Sequence, residues 1–293
     1  MKQNVSDKHA FLIMAHKADY TFFTLLKMLD DKRNDIYVHM DEKVGSYDSA
    51  KTENCLSYSK IYHIQREKVT WGGDSQIDTE LRLLKAAIKN GHYIYYHLLS
   101  GEDLPIKTQD FIHVFLKEHS GKEFVCFQEP KFKFEERIRY YYFFQEKEGR
   151  KRNLYSVFRK TSIAIQKLIG IKRNKNIQFQ KGANWFSITD DLARYVCSRS
   201  SWIFETFKNT IFCDEIFLQT IVHNSRFKKN LYHQNYDNDH AACVRLIDWK
   251  RGAPYVFTSN DYLELTNNQL CFARKFNCEV DKKIIDLMAE KFG

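Results

Sequence analysis

Residues 9–15 read H-A-F-L-I-M-A, a short continuous apolar run that is typical of a buried strand. A helical pattern follows over residues 20–29, and residues 36–39, I-Y-V-H, form a second apolar run. A strand, a helix and a strand in this order predict a βαβ unit with parallel strands. We therefore expect an α/β fold with a mostly parallel central sheet that is flanked by helices.

The alternation of strands and helices continues along the chain. Further strands are predicted at residues 60–64, 93–99, 123–127, 184–188, 230–233 and 244–249, and helices at residues 76–89, 108–119, 192–197 and 281–292. Ligands of parallel sheets bind beyond the carboxyl ends of the strands, and His16, Asp41 and Lys43 follow the first two strands. The sequence has no glycine-rich phosphate loop, which argues against a Rossmann dinucleotide site.

The composition of the 293 residues is that of a globular protein, with 43% hydrophobic and 28% charged residues. The seven cysteines form no C-x-x-C pair and are odd in number, which favours reduced thiols in a cytosolic protein over a disulfide framework or a zinc site. The first residues lack the apolar core of a signal peptide, and no apolar run reaches membrane-spanning length. We therefore expect a soluble or peripheral cytoplasmic protein.

The net charge of +9 is concentrated in one segment. Residues 147–181, the basic segment, contain eleven Lys and Arg residues and one acidic residue, Glu148, so they carry +10 and the remainder is nearly neutral. Its apolar residues fall on roughly one helical face, and they are Leu154, Val157, Phe158, Ile165, Leu168 and Ile169. A basic amphipathic helix is typical of a membrane-surface element, and equally of a solvated helix that packs on the domain.

A candidate catalytic carboxylate lies in residues 213–223, which read C-D-E-I-F-L-Q-T-I-V-H. The apolar spacing predicts a packed helix with Asp214 as its N-cap and Glu215 in its first turn. The positive end of the helix dipole favours an ionised carboxylate, and an ionised Glu in a rigid position can accept a proton from a bound hydroxyl. Ordinary capping chemistry is the simpler interpretation of the same pattern.

Two adjacent cations, Arg274 and Lys275, lie between apolar residues near the C-terminus. At the end of an element or in a turn, both side chains can reach one ligand, and two fixed cations can neutralise a diphosphate. The alternative interpretation is an ordinary cationic helix end.

Seven motifs follow one another along residues 9–276, and they read H-A-F-L-I-M-A-H-K, I-Y-V-H-M-D-E-K, W-G-G-D-S, Y-H-L-L-S-G-E-D-L-P-I-K, K-G-A-N-W-F-S-I-T, D-E-I-F-L-Q-T and F-A-R-K-F. Together they resemble glycosyltransferase family 14, which includes the core-2/I-branching β-1,6-N-acetylglucosaminyltransferases and the peptide O-xylosyltransferases. The resemblance implies one GT-A-type catalytic domain over residues 1–293. Its nucleotide-sugar half is expected at residues 1–128 and its acceptor half at residues 129–293, with the basic segment as an insertion.

The resemblance also implies roles for individual residues. It implies that Glu215 is the catalytic base and that Arg274 and Lys275 bind the diphosphate of UDP. We assign further donor-side contacts to Asp41, His16, Lys43 and Arg251, and acceptor-side contacts to Trp185, Trp249, Asp103, Glu129 and Arg137.

An inverting enzyme is implied, in which a hydroxyl of a glycan acceptor displaces UDP from the UDP-sugar donor. The resemblance also implies that no divalent metal or other cofactor is needed. Glu215 suits deprotonation of the acceptor, and Arg274 and Lys275 suit the charge that grows on UDP in the absence of a metal. The donor sugar is predicted to be N-acetylglucosamine, transferred in β-1,6 linkage, with xylosyl or another hexosyl transfer on the same fold as the alternative.

The cellular role follows from the same resemblance. Because the sequence shows neither a membrane anchor nor a disulfide framework, it resembles a bacterial member of the family that acts in surface polysaccharide synthesis. Acceptors of that kind are often lipid-linked, so the basic segment is expected to contact the anionic inner face of the cytoplasmic membrane.

Two other hypotheses remain open. Residues 237–239 read D-N-D, a D-x-D sequence of the kind that binds metal in GT-A enzymes, although their polar surroundings favour a turn. Glu102 and Asp103 follow a predicted strand and are the other candidate for a metal-dependent enzyme. The remaining hypothesis is a non-catalytic basic module for nucleic acid or membrane. Because the positive charge is confined to one segment, we expect no nucleic-acid partner.

Overall fold

The computed structural model describes residues 7–148 and 154–293. The strands are β1 (His9–Ala15), β2 (Asn34–Met40), β3 (Lys60–His63), β4 (Tyr95–Ser100), β5 (Asp103–Pro105), β6 (Phe124–Val125), β7 (Phe186–Thr189), β8 (Arg245–Ile247) and β9 (Phe272–Arg274). The helices are α1 (Tyr20–Met28), α2 (Ser49–Glu53), α3 (Ser75–Asn90), α4 (Gln109–Glu118), α5 (Glu135–Arg139), α6 (Gln145–Glu148), α7 (Leu154–Leu168), α8 (Asp190–Ser198), α9 (Ser200–Phe207), α10 (Phe217–His223), α11 (Tyr262–Asn267) and α12 (Lys282–Phe292).

A six-stranded sheet with the strand order β3-β2-β1-β4-β7-β6 forms the centre of the protein. The first four strands in that order are parallel, whereas β7 pairs antiparallel with both β4 and β6. Helices connect the parallel strands, because parallel neighbours need a long crossover. The predicted α/β architecture, a mostly parallel central sheet flanked by helices, is confirmed.

Hydrophobic side chains cover both faces of the central sheet. Ala10 and Leu12 of β1 belong to one core, which includes side chains of α3 and α8. Phe11 and Ile13 belong to a second core on the opposite face, which includes side chains of α1 and α12. This alternation follows from the period of two residues along a strand. Since both faces are buried, polar side chains reach solvent mainly where the strands end.

A second sheet of three short strands has the order β5-β9-β8. β5 and β9 are antiparallel, and β8 and β9 are parallel. In the antiparallel pair, Asp103 lies directly opposite Arg274. The two consecutive cations therefore lie at the end of a strand, one of the placements that lets both serve one ligand.

Two local predictions are wrong. The helix predicted from residue 213 begins as α10 at Phe217, and Glu215 lies in the turn before it. Asp214 is not its N-cap, because the Asp214 side chain is buried and accepts a hydrogen bond from Gln76. The strand predicted at residues 230–233 is also absent from the described structure, since Leu231 forms only an isolated bridge with Glu123.

The basic segment is described only in part, because residues 149–153 lie outside the described ranges. Its predicted amphipathic helix is confirmed as α7. Across residues 7–148 and 154–293, no helix combines the length and apolar character that a membrane crossing needs. The division into a nucleotide-sugar half and an acceptor half stays a prediction.

Candidate active site

The β5–β9 pair brings two carboxylates to the two adjacent cations. Asp103 pairs with Arg274 in register, and the Phe276 amide donates to the Glu102 carbonyl oxygen at 2.9 Å. The side chains match in the same order: Arg274 Nε lies 3.4 Å from Asp103 Oδ1, and Lys275 Nζ lies 3.5 Å from Glu102 Oε2. We call these four residues the cation–carboxylate cluster.

Asp103 is the most deeply buried member of this cluster. Its carboxylate accepts hydrogen bonds from the amide of Ser100 at 2.7 Å and from the Ser100 hydroxyl at 3.0 Å. Burial raises the pKa of Asp103, because desolvation disfavours the charged form, while the Arg274 charge and the Ser100 bonds act in the opposite direction. The structure pairs Asp103 with Arg274, and the acceptor-side contact assigned to Asp103 from the sequence stays a prediction.

Glu102 also contacts His16, which follows β1. His16 Nε2 lies 3.6 Å from Glu102 Oε1, and the His16 side chain is half exposed. The Glu102 carboxylate therefore contacts both His16 and Lys275, which follow the ends of different strands. His16 and Lys275, both assigned to the donor side from the sequence, therefore contact the same carboxylate.

Trp185 supports Arg274 from its other side. The guanidinium carbon of Arg274 lies 3.9 Å from the centroid of a Trp185 ring, which is a close cation–π contact. The sequence placed Trp185 on the acceptor side and Arg274 on the donor side. The contact shows that a residue predicted to bind the acceptor and a residue predicted to bind the donor are neighbours in the fold.

Glu215 is held by two cations that come from different segments. Arg137 of α5 donates to Glu215 Oε2 at 2.9 Å, and Lys181 Nζ lies 3.2 Å from the same oxygen. The Glu215 backbone carbonyl accepts a hydrogen bond from the Gly182 amide at 3.0 Å. The carboxylate is 36% exposed, so it remains reachable from solvent. The prediction that Arg137 and Glu215 belong to one site is consistent with this ion pair, whereas Lys181 was missed.

Two buried carboxyls lie behind Glu215. Burial raises the pKa of Asp214 to about 7, and the neighbouring Glu215 charge acts in the same direction. Glu80 of α3 is fully buried, and its pKa is raised well above the ordinary value by burial and then by Asp214. The Asn184 side chain acts in the opposite direction on the pKa of Glu80. These pKa directions favour protonated forms, which leaves Glu215 as the exposed member of the group.

His240 connects the Glu215 region with the cation–carboxylate cluster. Burial lowers the pKa of His240, and the charges of Lys181 and Arg274 lower it further. The segment from Gly182 to Trp185 links the two regions, because the Gly182 amide donates to the Glu215 carbonyl and the Trp185 ring contacts Arg274. Neither ring nitrogen of His240 has a hydrogen-bond partner among the described residues. The sequence gave no signal for His240, which lies next to the D-x-D sequence.

Asp41 and Lys43 lie at the carboxyl end of β2. Asp41 accepts a hydrogen bond from the Lys43 amide at 2.9 Å, and the Lys43 ammonium lies 3.8 Å from the same carboxylate. A cavity of about 360 Å³ adjoins them, and Met40, Tyr47 and Arg66 are among its lining residues. Arg66 donates to the carbonyl oxygen of Asp41 at 3.0 Å and stacks on Tyr47 at 5.6 Å. The end of β2 therefore offers an aromatic ring, a cation and a carboxylate beside one cavity.

Two of the predicted contact residues pair with other side chains, and a third is exposed. Arg251 forms ion pairs with three carboxylates, namely Asp248, Asp261 at 2.6 Å and Glu264 at 2.8 Å. Its charge is thus already compensated, which argues against its predicted role in binding phosphate. Glu129 pairs with the nearby Lys133, and Trp249 is 54% exposed.

The candidate metal sequences have protein partners. Asp237 pairs with His233 at 2.8 Å, and Asn238 has a positive φ of 62°, which is the backbone of a turn. Glu102 and Asp103 face Lys275 and Arg274, as described above. Among the described residues, no group of three or more His, Cys, Asp or Glu side chains has an arrangement that could bind a metal ion.

Comparison with known proteins identifies relatives over nearly the whole chain. The sequence profile of the family described as Core-2/I-Branching enzyme matches residues 9–271. Xylosyltransferase 2 of Bos taurus is 23% identical over 294 residues, which cover 94% of this chain and 32% of that protein. Xylosyltransferase oxt of Drosophila melanogaster is 24% identical over 281 residues, 89% of this chain and 30% of that protein. The chain therefore spans about a third of the length of these curated relatives.

A solved structure, mouse xyloside xylosyltransferase 1 in its apo form, aligns with 92% of this chain and 98% of its own chain. Its sequence identity is 10% and the TM-score is 0.35, a likeness that supports no conclusion.

Proposed function

This chain belongs to the Core-2/I-Branching enzyme family, and from that membership we propose that it is an inverting glycosyltransferase that moves a sugar from a UDP-sugar to a glycan acceptor. One observation carries the proposal. A partly exposed carboxylate, Glu215, is fixed by two cations, and the segment from Gly182 to Trp185 links it to a second pair of cations at a strand end, Arg274 and Lys275. A displacement that deprotonates an acceptor and releases a diphosphate needs these two kinds of group.

Glu215 serves as the general base in this proposal. Arg137 and Lys181 both contact Oε2, and among the described residues Oε1 has no hydrogen-bond partner. One oxygen therefore anchors the carboxylate while the other is available to an acceptor hydroxyl. The hydroxyl oxygen forms the new bond to the anomeric carbon, the bond from that carbon to UDP breaks, and the hydroxyl proton passes to Glu215.

Arg274 and Lys275 bind the diphosphate of the leaving UDP. The electron pair of the broken bond stays on UDP, and fixed cations stabilise that charge without reorganising during the reaction. Trp185 and Asp103 support the Arg274 guanidinium from two sides, and Glu102 supports Lys275. These contacts argue for preorganised cations.

The nucleoside occupies the cavity at the end of β2 in this proposal. Tyr47 lines this cavity and offers an aromatic face for a base. Asp41 follows the lining residue Met40 in the chain, and its carboxylate can accept hydrogen bonds from ribose hydroxyls. Arg66 and Lys43 add positive charge at the same strand end. The arrangement supports the predicted donor-side roles of Asp41 and Lys43.

We propose that the reaction needs no divalent metal. The two carboxylates that best match a metal site by position, Glu102 and Asp103, are each paired with a cation of the cluster. A metal ion at this place would have to displace Lys275 and Arg274. The predicted metal-dependent alternative therefore requires a rearrangement of the cluster.

The identity of the donor sugar is a separate part of the proposal. The resemblance favoured N-acetylglucosamine in β-1,6 linkage, whereas the curated relatives described above are named xylosyltransferases, which favours xylose as a second candidate. We propose a glycan acceptor, carried on a lipid during synthesis of a bacterial surface polysaccharide. This assignment rests on the resemblance and on the charge of the basic segment.

The decisive experiment measures UDP release from a panel of UDP-sugars that includes UDP-N-acetylglucosamine and UDP-xylose, with and without EDTA. The proteins compared are the wild type, Glu215→Gln, and Glu118→Gln as a control at an exposed carboxylate of α4. Activity that persists in EDTA, collapses in Glu215→Gln and survives in Glu118→Gln is expected. Loss of activity in EDTA would restore the metal-dependent alternative, and the absence of both turnover and UDP binding would overturn the enzyme proposal.

A further inference from the structure

Helix α7 presents its apolar face to solvent. The exposed fractions are 75% for Leu154, 60% for Val157, 55% for Phe158, 51% for Ile165 and 86% for Leu168. With 100° per residue, these five side chains fall within an arc of roughly 100° on one side of the helix. A surface helix of a globular protein normally turns such a stripe towards the core. In α7 the orientation is reversed.

Polar contacts attach the opposite face of α7 to the protein. The Gln166 side chain is buried, donates to the Tyr141 carbonyl at 3.0 Å and accepts from the Tyr141 amide at 2.8 Å. Lys167 forms an ion pair with Glu136 of α5. Ile163 also packs on the cluster of Tyr140, Tyr142 and Ile211, and Phe158 at the edge of the stripe contacts Phe144. These contacts orient the helix and leave most of the apolar stripe exposed to another surface.

Helix α7 and the segment after it have an excess of positive charge, although Lys167 is paired with Glu136 and Lys181 with Glu215. Residues 154–181 contain seven Lys and Arg residues and no Asp or Glu. Lys160 is exposed on α7, and the exposed Ile169 extends the apolar surface beyond the last turn. An apolar stripe with cationic flanks is the pattern of a helix that lies in the interface of an anionic bilayer.

We propose that α7 docks this protein on an anionic membrane surface, with its apolar stripe among the headgroups and upper acyl chains. Charge decides between this occupant and a second copy of the chain. A symmetric pair would bring the exposed cations of one α7, such as Lys160, against those of the other, whereas anionic lipid complements them. The lysine stems can extend along the apolar stripe while their ammonium groups reach lipid phosphates.

The docked orientation has a consequence for the candidate active site. α7 contacts Glu136 and Tyr141, and Arg137 between them donates to Glu215. The membrane-facing helix is therefore one layer of structure away from the candidate base. Membrane docking goes beyond the proposed transfer reaction, and either can fail without the other.

Sedimentation of the full chain with vesicles tests the docking. One vesicle preparation contains phosphatidylcholine alone, and the other mixes it with phosphatidylglycerol. We expect binding to the mixed vesicles, and a loss of about tenfold or more in partitioning for the double variant Ile165→Gln/Leu168→Gln. The control variant, Leu263→Gln/Val280→Gln, removes two exposed apolar residues elsewhere and should bind as the wild type does. Lys160→Glu should weaken binding about tenfold, because it replaces an attraction by a repulsion.

Three results would overturn the proposal. They are no binding to mixed vesicles, equal binding by the α7 double variant, and a wild-type dimer in solution that the double variant converts to a monomer. The last result would identify a second copy as the occupant of the stripe. Circular dichroism and UDP binding report whether each variant is folded, and neither should change, since the substituted side chains are exposed.

Discussion

Arg137 donates to the carboxylate of Glu215 across 2.9 Å, although 78 residues separate them in the sequence. The Arg137 guanidinium in turn stacks on Phe134 at 4.6 Å and on Phe212 at 5.2 Å. Glu215 thus has a partner that is itself fixed by two aromatic rings. These contacts fix the position of the Glu215 carboxylate, although Glu215 lies in a turn.

Replacing Arg137 with Met should impair the reaction much more than the fold. Both partners of the pair are partly exposed, so its net contribution to the free energy of unfolding is about 0–1 kcal/mol. A base that loses its orientation should lower kcat by about 10–100-fold. Steady-state kinetics and Tm measure the two effects. Arg194→Met, which removes a comparable pair with Asp190, is the control, and an unchanged kcat in Arg137→Met would contradict the prediction.

Arg274→Ala and Lys275→Ala should both weaken UDP binding but should differ in stability. Each substitution removes one of the two cations that contact the diphosphate, so we expect the affinity for UDP to fall about 10–100-fold. Arg274→Ala also leaves the buried carboxylate of Asp103 without its cation, which should cost about 1–3 kcal/mol of unfolding free energy. Glu102 is the more exposed carboxylate of the cluster, so Lys275→Ala should cost less. Calorimetric titration with UDP and urea unfolding measure the two quantities, and equal stability losses would refute the assigned role of Asp103.

Asp214→Asn should stabilise the protein at high pH and have little effect at low pH. The pKa of Asp214 is raised from 3.8 to about 7, so the folded state keeps a proton that the unfolded state has already lost between these values. Stability of the wild type therefore falls as pH rises from about 4 to about 7. The neutral Asn avoids that loss, and its advantage should reach on the order of 1–4 kcal/mol at pH 8.

Urea unfolding at a series of pH values measures this difference. Asp7→Asn, at an exposed position, is the control and should show no pH-dependent difference from the wild type. If Asp214→Asn followed the wild type at every pH, Asp214 would not be a buried protonated carboxyl.

Arg251→Ala should lower Tm and leave UDP affinity within about twofold of the wild type. Its guanidinium forms ion pairs with Asp248, Asp261 and Glu264, so the substitution removes three stabilising contacts at once. Calorimetry and UDP titration distinguish the two effects. A tenfold loss of UDP affinity with an unchanged Tm would restore the phosphate-binding role predicted from the sequence.

The sequence by itself determined the α/β architecture and the places of its strand ends. Hydrophobic periodicity is local, so the apolar runs at β1 and β2 and the cap at Thr189 could be recognised without tertiary information. The same local reasoning misplaced the start of α10. Acidic residues before an apolar run resemble an N-cap. The buried Asp214 side chain instead accepts a hydrogen bond from Gln76, which is distant in the sequence.

Only the tertiary structure decided which charges meet. The pairs Arg137–Glu215 and Arg274–Asp103 depend on strand register and on the course of loops, and no local pattern encodes either. Likewise, the sequence showed that α7 is amphipathic but not which face packs, because both a core contact and a membrane contact use the same periodicity. The buried Gln166 settles the orientation, since its hydrogen bonds to Tyr141 fix the polar face inward and leave the apolar stripe outside.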